Sequence, residues 1–160
     1  MDLVTFNALP IRGALAELTS CCSSPDWAHQ VASHRPFSSV GELIRCAEAT
    51  LAGLDDDGLD AALAGHPRIG EQFVHPYSRR EQAGLATADA GLRTALAQAN
   101  RDYEARFGQM YLVCADGRSG EELLNVLRQR LANDPATERR ILRKELAKIN
   151  RVRLARLVGP

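Results

Sequence analysis

Met110-Tyr111-Leu112-Val113-Cys114 is the one stretch of this 160-residue chain that reads as a β-strand. A single strand has no sheet to join. The stretch is therefore expected as a short extended, buried segment in an otherwise all-α protein, with N–H and C=O groups that need partners of another kind. A ligand can be one of them.

Helical patterns flank the segment on both sides. Downstream, Ser119 and Glu122 make a capping box for a helix carrying Leu123, Val126, Leu127 and Arg130. Asn133-Asp134-Pro135 then supplies a stop, an N-cap and an N1 proline, so a last helix runs from Pro135 nearly to the end. At 100° per residue, Leu142, Leu146, Ile149, Arg153 and Leu157 share one face of it. Arg153 thus lies inside an apolar stripe, with Arg151 on the opposite side. A guanidinium turned to a core requires an internal ion pair or an anionic ligand, and the residues alone leave both open.

Upstream, Leu92, Leu96, Ala99 and Tyr103 mark a helix from about Asp89 to Arg106. Phe6 and Leu9 point inward from a short turn, and Pro10 opens a helix to about Ser20. Ser24-Pro25-Asp26 starts another with Trp27 and Val31, and Ser38 or Ser39 caps one with Val40, Leu43, Ile44, Ala47 and Leu51. Asp55 to Asp57 read as the solvated start of a short helix around Leu59 rather than as a cation site. The sum is one domain over residues 1–160, a bundle of about eight helices.

Composition narrows the function classes. Twenty basic residues balance twenty acidic ones and the pI is near 6.9, so overall charge makes no case for nucleic acid or an anionic membrane. No apolar run reaches the length of a membrane span and no basic-then-apolar leader opens the chain, which reads as cytoplasmic. The four cysteines (21, 22, 46 and 114) and four histidines (29, 34, 66 and 75) show no metal-ligand spacing, so reduced thiols and no metal are expected. Eight basic residues stand against one acidic residue between Arg139 and Arg156, and most of them form a solvated face, without the aromatic interleaving of a nucleic-acid binder.

Chemistry concentrates between Gly65 and Gln82, in Gly-His-Pro-Arg-Ile-Gly-Glu-Gln-Phe-Val-His-Pro-Tyr-Ser-Arg-Arg-Glu-Gln. Gly65 suits a left-handed position past a helix end, and Pro67 pushes His66 out of the α region. His75-Pro76 repeats that geometry, and Ser78 with Glu81 has the form of a capping box opening a helix to about Ala86. Imidazole, carboxylate and a helix terminus together make an acid–base constellation. Each residue also has a structural reading: a lone imidazole need not titrate in a reaction, and Glu81 has a capping role of its own.

Gly65-His66-Pro67-Arg68-Ile69-Gly70-Glu71 followed by Ser78-x-x-Glu81-Gln82 resembles the 2-oxo-4-hydroxy-4-carboxy-5-ureidoimidazoline (OHCU) decarboxylases of urate breakdown. Further words recur in order along nearly the whole chain: Phe6-Asn7-Ala8-Leu9-Pro10, Cys21-Cys22-Ser23, Arg35-Pro36-Phe37, Tyr103-x-x-Arg106-Phe107-Gly108, Arg118-Ser119-Gly120-Glu121-Glu122 and Lys148-Ile149-x-x-Val152-Arg153-Leu154. The resemblance implies a cofactor-free carboxy-lyase, a homodimer, yielding (S)-allantoin. It implies His66 and Glu81 as the proton-transfer residues. Pro67, Ser78, Gln82, the main chain of Tyr111, Leu112 and Val113, and Arg153 become substrate contacts. The chain departs from many members in the short connection from Pro67 to Ser78, with His75 inside it.

Decarboxylation leaves an electron pair, and the two lysines, Lys144 and Lys148, project away from the Arg153 face, which disfavours a Schiff-base sink. A substrate bearing a C=N bond beside its carboxylate carbon supplies its own. Two other readings stand beside this one: a non-catalytic helical module whose basic last helix docks an acidic partner, and a lyase acting on a related ureido acid.

Overall fold

The computed structural model describes residues 1–70 and 76–159, apart from the side chains of 76–78. It is helical throughout, with no strand among the described residues. The chain falls into two compact units, Met1–Gly65 with Ala147–Pro160, and His66–Leu146.

The first unit holds α1 (Leu3–Ala8), α2 (Ile11–Cys21), α3 (Pro25–Ser33), α4 (Val40–Ala52) and α5 (Asp56–Ala64). Side chains settle the orphan N–H groups at most of the helix starts: Asp2, Ser24, Ser39 and Asp55 each accept from an amide three residues on. Glu42 reaches back to the Ser38 amide, so the α4 start is a reciprocal cap. Phe6, Leu18, Trp27, Val31, Leu43, Leu51 and Leu59 fill the core. The Trp27 indole N–H is buried with them and donates to the Ala47 carbonyl at 2.9 Å.

Two of the sequence words meet here. Asn7 and Phe37 exchange a pair of hydrogen bonds through the Asn7 amide, and the Arg35 guanidinium donates to the Phe6 and Leu9 carbonyls at the end of α1. Gly65 corrects the sequence expectation. It has φ −83°, an ordinary right-handed value, and is glycine for a different reason: a Cβ there would fall 1.7 Å from the Ser23 hydroxyl oxygen.

The second unit holds α6 (Pro76–Glu81), a 3-10 turn (Ala83–Leu85), α7 (Ala90–Phe107) and α8 (Gly120–Arg130). The last helix, α9 (Pro135–Leu157), contributes its residues up to Leu146 here and the rest to the first unit. Leu142, Leu146, Ile149, Arg153 and Leu157 are all buried, so the helical stripe read from spacing holds, and Arg151 lies exposed against Glu48. Asp89, Ser119 and Asp134 cap α7, α8 and α9. Gly108, at φ 65°, ends α7 in the left-handed conformation that favours glycine.

The helix read as starting at Ser78 begins instead at Pro76, so Ser78 is inside it and the Ser78–Glu81 capping box is not formed as a helix start. Proline at the first helical position has φ preset and no N–H to satisfy, which favours Pro76 over the serine. Six residues later the helix gives way to the 3-10 turn.

Tyr103, Tyr111, Val113, Leu96, Leu123 and Leu127 share the core of this unit. Residues 110–115 carry neither helix nor strand, and Tyr111, Leu112 and Val113 are buried as expected. Gly84 sits so close to the Arg118 carbonyl that a Cβ would lie 2.0 Å from its oxygen. Since main chain cannot swing aside, Gly84→Ala is expected to destabilise the protein by about 1–3 kcal/mol. Gly41→Ala, whose Cβ would meet nothing closer than 3.4 Å, should leave stability unchanged or raise it. Thermal denaturation of the two variants checks the contrast.

Candidate active site

The turn before α6 is fastened from α7 and from Gln82. Arg68 pairs with Glu104, the Asn100 side-chain amide donates to the Ile69 carbonyl at 3.2 Å, and the Gly70 N–H donates to Gln82 Oε1 at 3.0 Å. Gly70 has φ 84°, a left-handed value that a side chain would strain. His66 and Pro67 enter this fastened turn, His66 buried and Pro67 half-buried. Gln82 is thus a positioning group in this structure, with its carbonyl oxygen already engaged.

Glu81, the last residue of α6, is buried and lies close enough to Cys114 for its charge to act on the thiol. His75 lies outside the described residues, as does the side chain of Ser78. A cavity of about 300 Å³ opens between the turn and α7, lined by Arg68, Gly70, Arg93, Asn100, Arg101 and Glu104. Its guanidiniums are in use: Arg68 on Glu104, Arg93 on the Leu85 and Ala88 carbonyls, and Arg101 on Gln98.

The 111–113 segment is held by charged groups that the sequence reading did not single out. Arg130 donates to the Leu112 carbonyl while forking onto Glu138, its closest ion-pair contact being 2.9 Å. The same guanidinium lies over the Tyr111 ring, 4.6 Å from its centroid. Glu138 is fully buried and also accepts from the Tyr103 hydroxyl and from Asn133. Two residues beyond Leu112, the Cys114 N–H donates to Glu145 at 2.9 Å. Arg130 stands in the last turn of α8 and Glu138 in the first turn of α9, where such charges also complement the helix dipole.

In the first unit, Arg153 is buried and donates to the Cys21 carbonyl at 3.0 Å, one of the orphan acceptors ending α2. This contact is to a neutral main-chain oxygen. Burial pushes the Cys21 thiol up to about 12 despite the nearby Arg153 charge, so it is protonated at neutral pH. All four cysteines are free thiols. Among the described residues, no three His, Cys, Asp or Glu side chains cluster as a metal site would need, and no helix is long and apolar enough to cross a membrane.

The OHCU decarboxylase family model matches residues 7–155. The chain belongs to the OHCU decarboxylase family. It is 30% identical over 141 residues to an OHCU decarboxylase of Amia calva, covering 84% of this chain and 81% of that one. Against a bifunctional uric acid degradation protein of Arabidopsis thaliana the identity is 28% over 145 residues, 86% of this chain and 45% of the relative, so the chain spans under half of that longer protein. A crystal structure of an OHCU decarboxylase in the presence of (S)-allantoin superposes with a TM-score of 0.82 at 29% identity, over 90% of this chain and 98% of that one.

The buried ion pair has a pH signature. Burial alone would raise the Glu138 carboxyl, but hydrogen bonds from Arg130, Tyr103 and Asn133 outweigh it and hold the group below its ordinary 4.5. A depressed folded value means that the pair's stabilisation is complete above about 4.5 and disappears as pH falls through the lower folded value. Glu138→Gln should therefore be less stable than the native protein at pH 7 and lose less stability on acidification. Melting temperatures taken between about pH 7 and pH 3 for both proteins test this.

Proposed function

We propose that this chain decarboxylates OHCU to (S)-allantoin in urate degradation, with His66 and Glu81 moving protons and Arg153 meeting the substrate's negative charge. The observation that carries the reading is the superposition, over nine-tenths of the chain, on an OHCU decarboxylase crystallised in the presence of (S)-allantoin. In this reading the enzyme works in the cytoplasm as a homodimer, without metal or organic cofactor.

The chemistry suits such a site. Breaking the bond to the carboxylate releases CO2 and leaves an electron pair on the ring carbon that bears the hydroxyl. The adjacent C=N bond takes that pair up. The hydroxyl then loses its proton to become the carbonyl, the ring nitrogen is protonated, and the neighbouring ureido-bearing carbon receives a proton, one proton being taken up net. Delivery to that carbon from one face gives one hand of allantoin. His66 and Glu81 are the titratable pair suited to the hydroxyl and carbon protons, and such acid–base assistance contributes roughly 100- to 10,000-fold in rate.

Main-chain groups of Tyr111, Leu112 and Val113 and the amides near Ser78 serve the ring and ureido edges, with Pro67 and Gln82 shaping the turn that carries His66. The Leu112 carbonyl is already held by Arg130, so its contribution is one of anchoring, and the Tyr111 and Val113 peptide groups are left for the substrate.

OHCU generated in situ from urate, with urate oxidase and hydroxyisourate hydrolase, and supplied to this protein without metal or cofactor should give a single-handed (S)-allantoin signal in circular dichroism. His66→Ala should cut the rate at least about 100-fold and return the product toward the racemate. A His66→Ala variant with full rate and unchanged handedness would remove His66 from the mechanism; racemic product at the spontaneous rate from the native chain would remove the activity.

A further inference from the structure

The two anchors on the 111–114 segment are placed two residues apart. The Leu112 C=O accepts from Arg130 and the Cys114 N–H donates to Glu145. Peptide groups recur on the same edge of an extended chain at that interval. One edge is thus taken up by ionised side chains, a guanidinium and a carboxylate, which bind main-chain groups more strongly than neutral partners do. No hydrogen bond among the described residues reaches the main chain of Tyr111 or Val113, both of them buried. Buried peptide groups without partners are costly, and a ligand that presents N–H and C=O groups in alternation relieves that cost.

We propose that Arg130 and Glu145 are positioning residues: they fix one edge of the segment so that the Tyr111 and Val113 peptide groups meet the ureido and ring-amide edges of the substrate in register. This rests on the functional reading above and adds to it residues outside its substrate contacts. Glu138 completes the device. It holds the Arg130 fork in one orientation, and Tyr103 and Asn133 hold Glu138 in turn. Arg130 is 5% exposed and Glu138 fully buried, so neither competes with solvent for its partners. The Tyr111 ring under the guanidinium gives Arg130 a second contact with the segment.

Arginine is needed for geometric reasons. A guanidinium has five donors in a rigid fork and can bond Glu138 and the Leu112 carbonyl at once, whereas a lysine ammonium at the same place keeps the charge and loses the bridge. Arg130→Lys therefore separates charge from positioning. Glu145→Ala frees the Cys114 N–H without touching the buried ion pair, and serves if Arg130→Lys fails to fold.

Steady-state decarboxylation of OHCU, allantoin handedness and amide hydrogen exchange are measured together for the native chain, Arg130→Lys, Glu145→Ala and a surface control, Arg151→Lys. The expected result is a fall in kcat/KM of about 10- to 100-fold in both segment variants, carried mainly by KM, at temperatures where they remain folded. Exchange within residues 111–115 should quicken in both, and the control should match the native chain. Variants that melt earlier but keep the native KM while folded would show a merely structural role and overturn the inference, as would a raised KM with native exchange in the segment. An inactive native chain would overturn the functional reading and this inference with it; active native protein with indifferent variants overturns this inference alone.

Discussion

The Leu112 carbonyl oxygen, buried away from water and met by the Arg130 guanidinium, is the constraint on which the second unit is arranged. An apolar segment without a sheet has to find partners for its main chain, and here it finds charged ones. Those charges need neutralising in turn, which brings in Glu138 from the first turn of α9 and, through it, Tyr103 of α7 and Asn133 ahead of α9. Helices α7, α8 and α9 are therefore tied to the segment by polar bonds as well as by the leucines between them. Replacing such a pair with apolar residues can be neutral, whereas removing one member leaves a buried charge, a loss of about 3–5 kcal/mol. The arrangement tolerates wholesale change better than half-change.

The candidate site follows the same logic of borrowed main chain. In the second unit Ile69, Gly70, Leu112 and Cys114 each take part through a peptide group, and the side chains that meet them are Asn100, Gln82, Arg130 and Glu145. Helices supply these side chains, apart from Gln82, which stands in the turn after α6.

What the sequence made visible was whatever depends on neighbours along the chain. Caps at Ser39, Asp55, Ser119 and Asp134 follow from local hydrogen bonding, and the α9 stripe from helical spacing. Two local rules collided before α6, where Pro76 as a first helical residue prevailed over Ser78 as a cap. Gly65 shows the opposite limit: its glycine answers a close approach from Ser23, 42 positions earlier, and no local pattern carries that information. Arg153 was legible as a buried cation because it interrupts an apolar stripe, while the carbonyl it reaches at the end of α2 has no side-chain signature. Arg130 and Glu138 stayed hidden because charges at those helix ends already have a sufficient local explanation.

A contact made through a peptide oxygen or amide places little demand on which residue provides it. Cys21 offers Arg153 only its carbonyl, and Leu112 offers Arg130 the same. A different side chain at such a position leaves the contact in place so long as the backbone path survives, whereas the guanidinium that grips it has no substitute of the same shape.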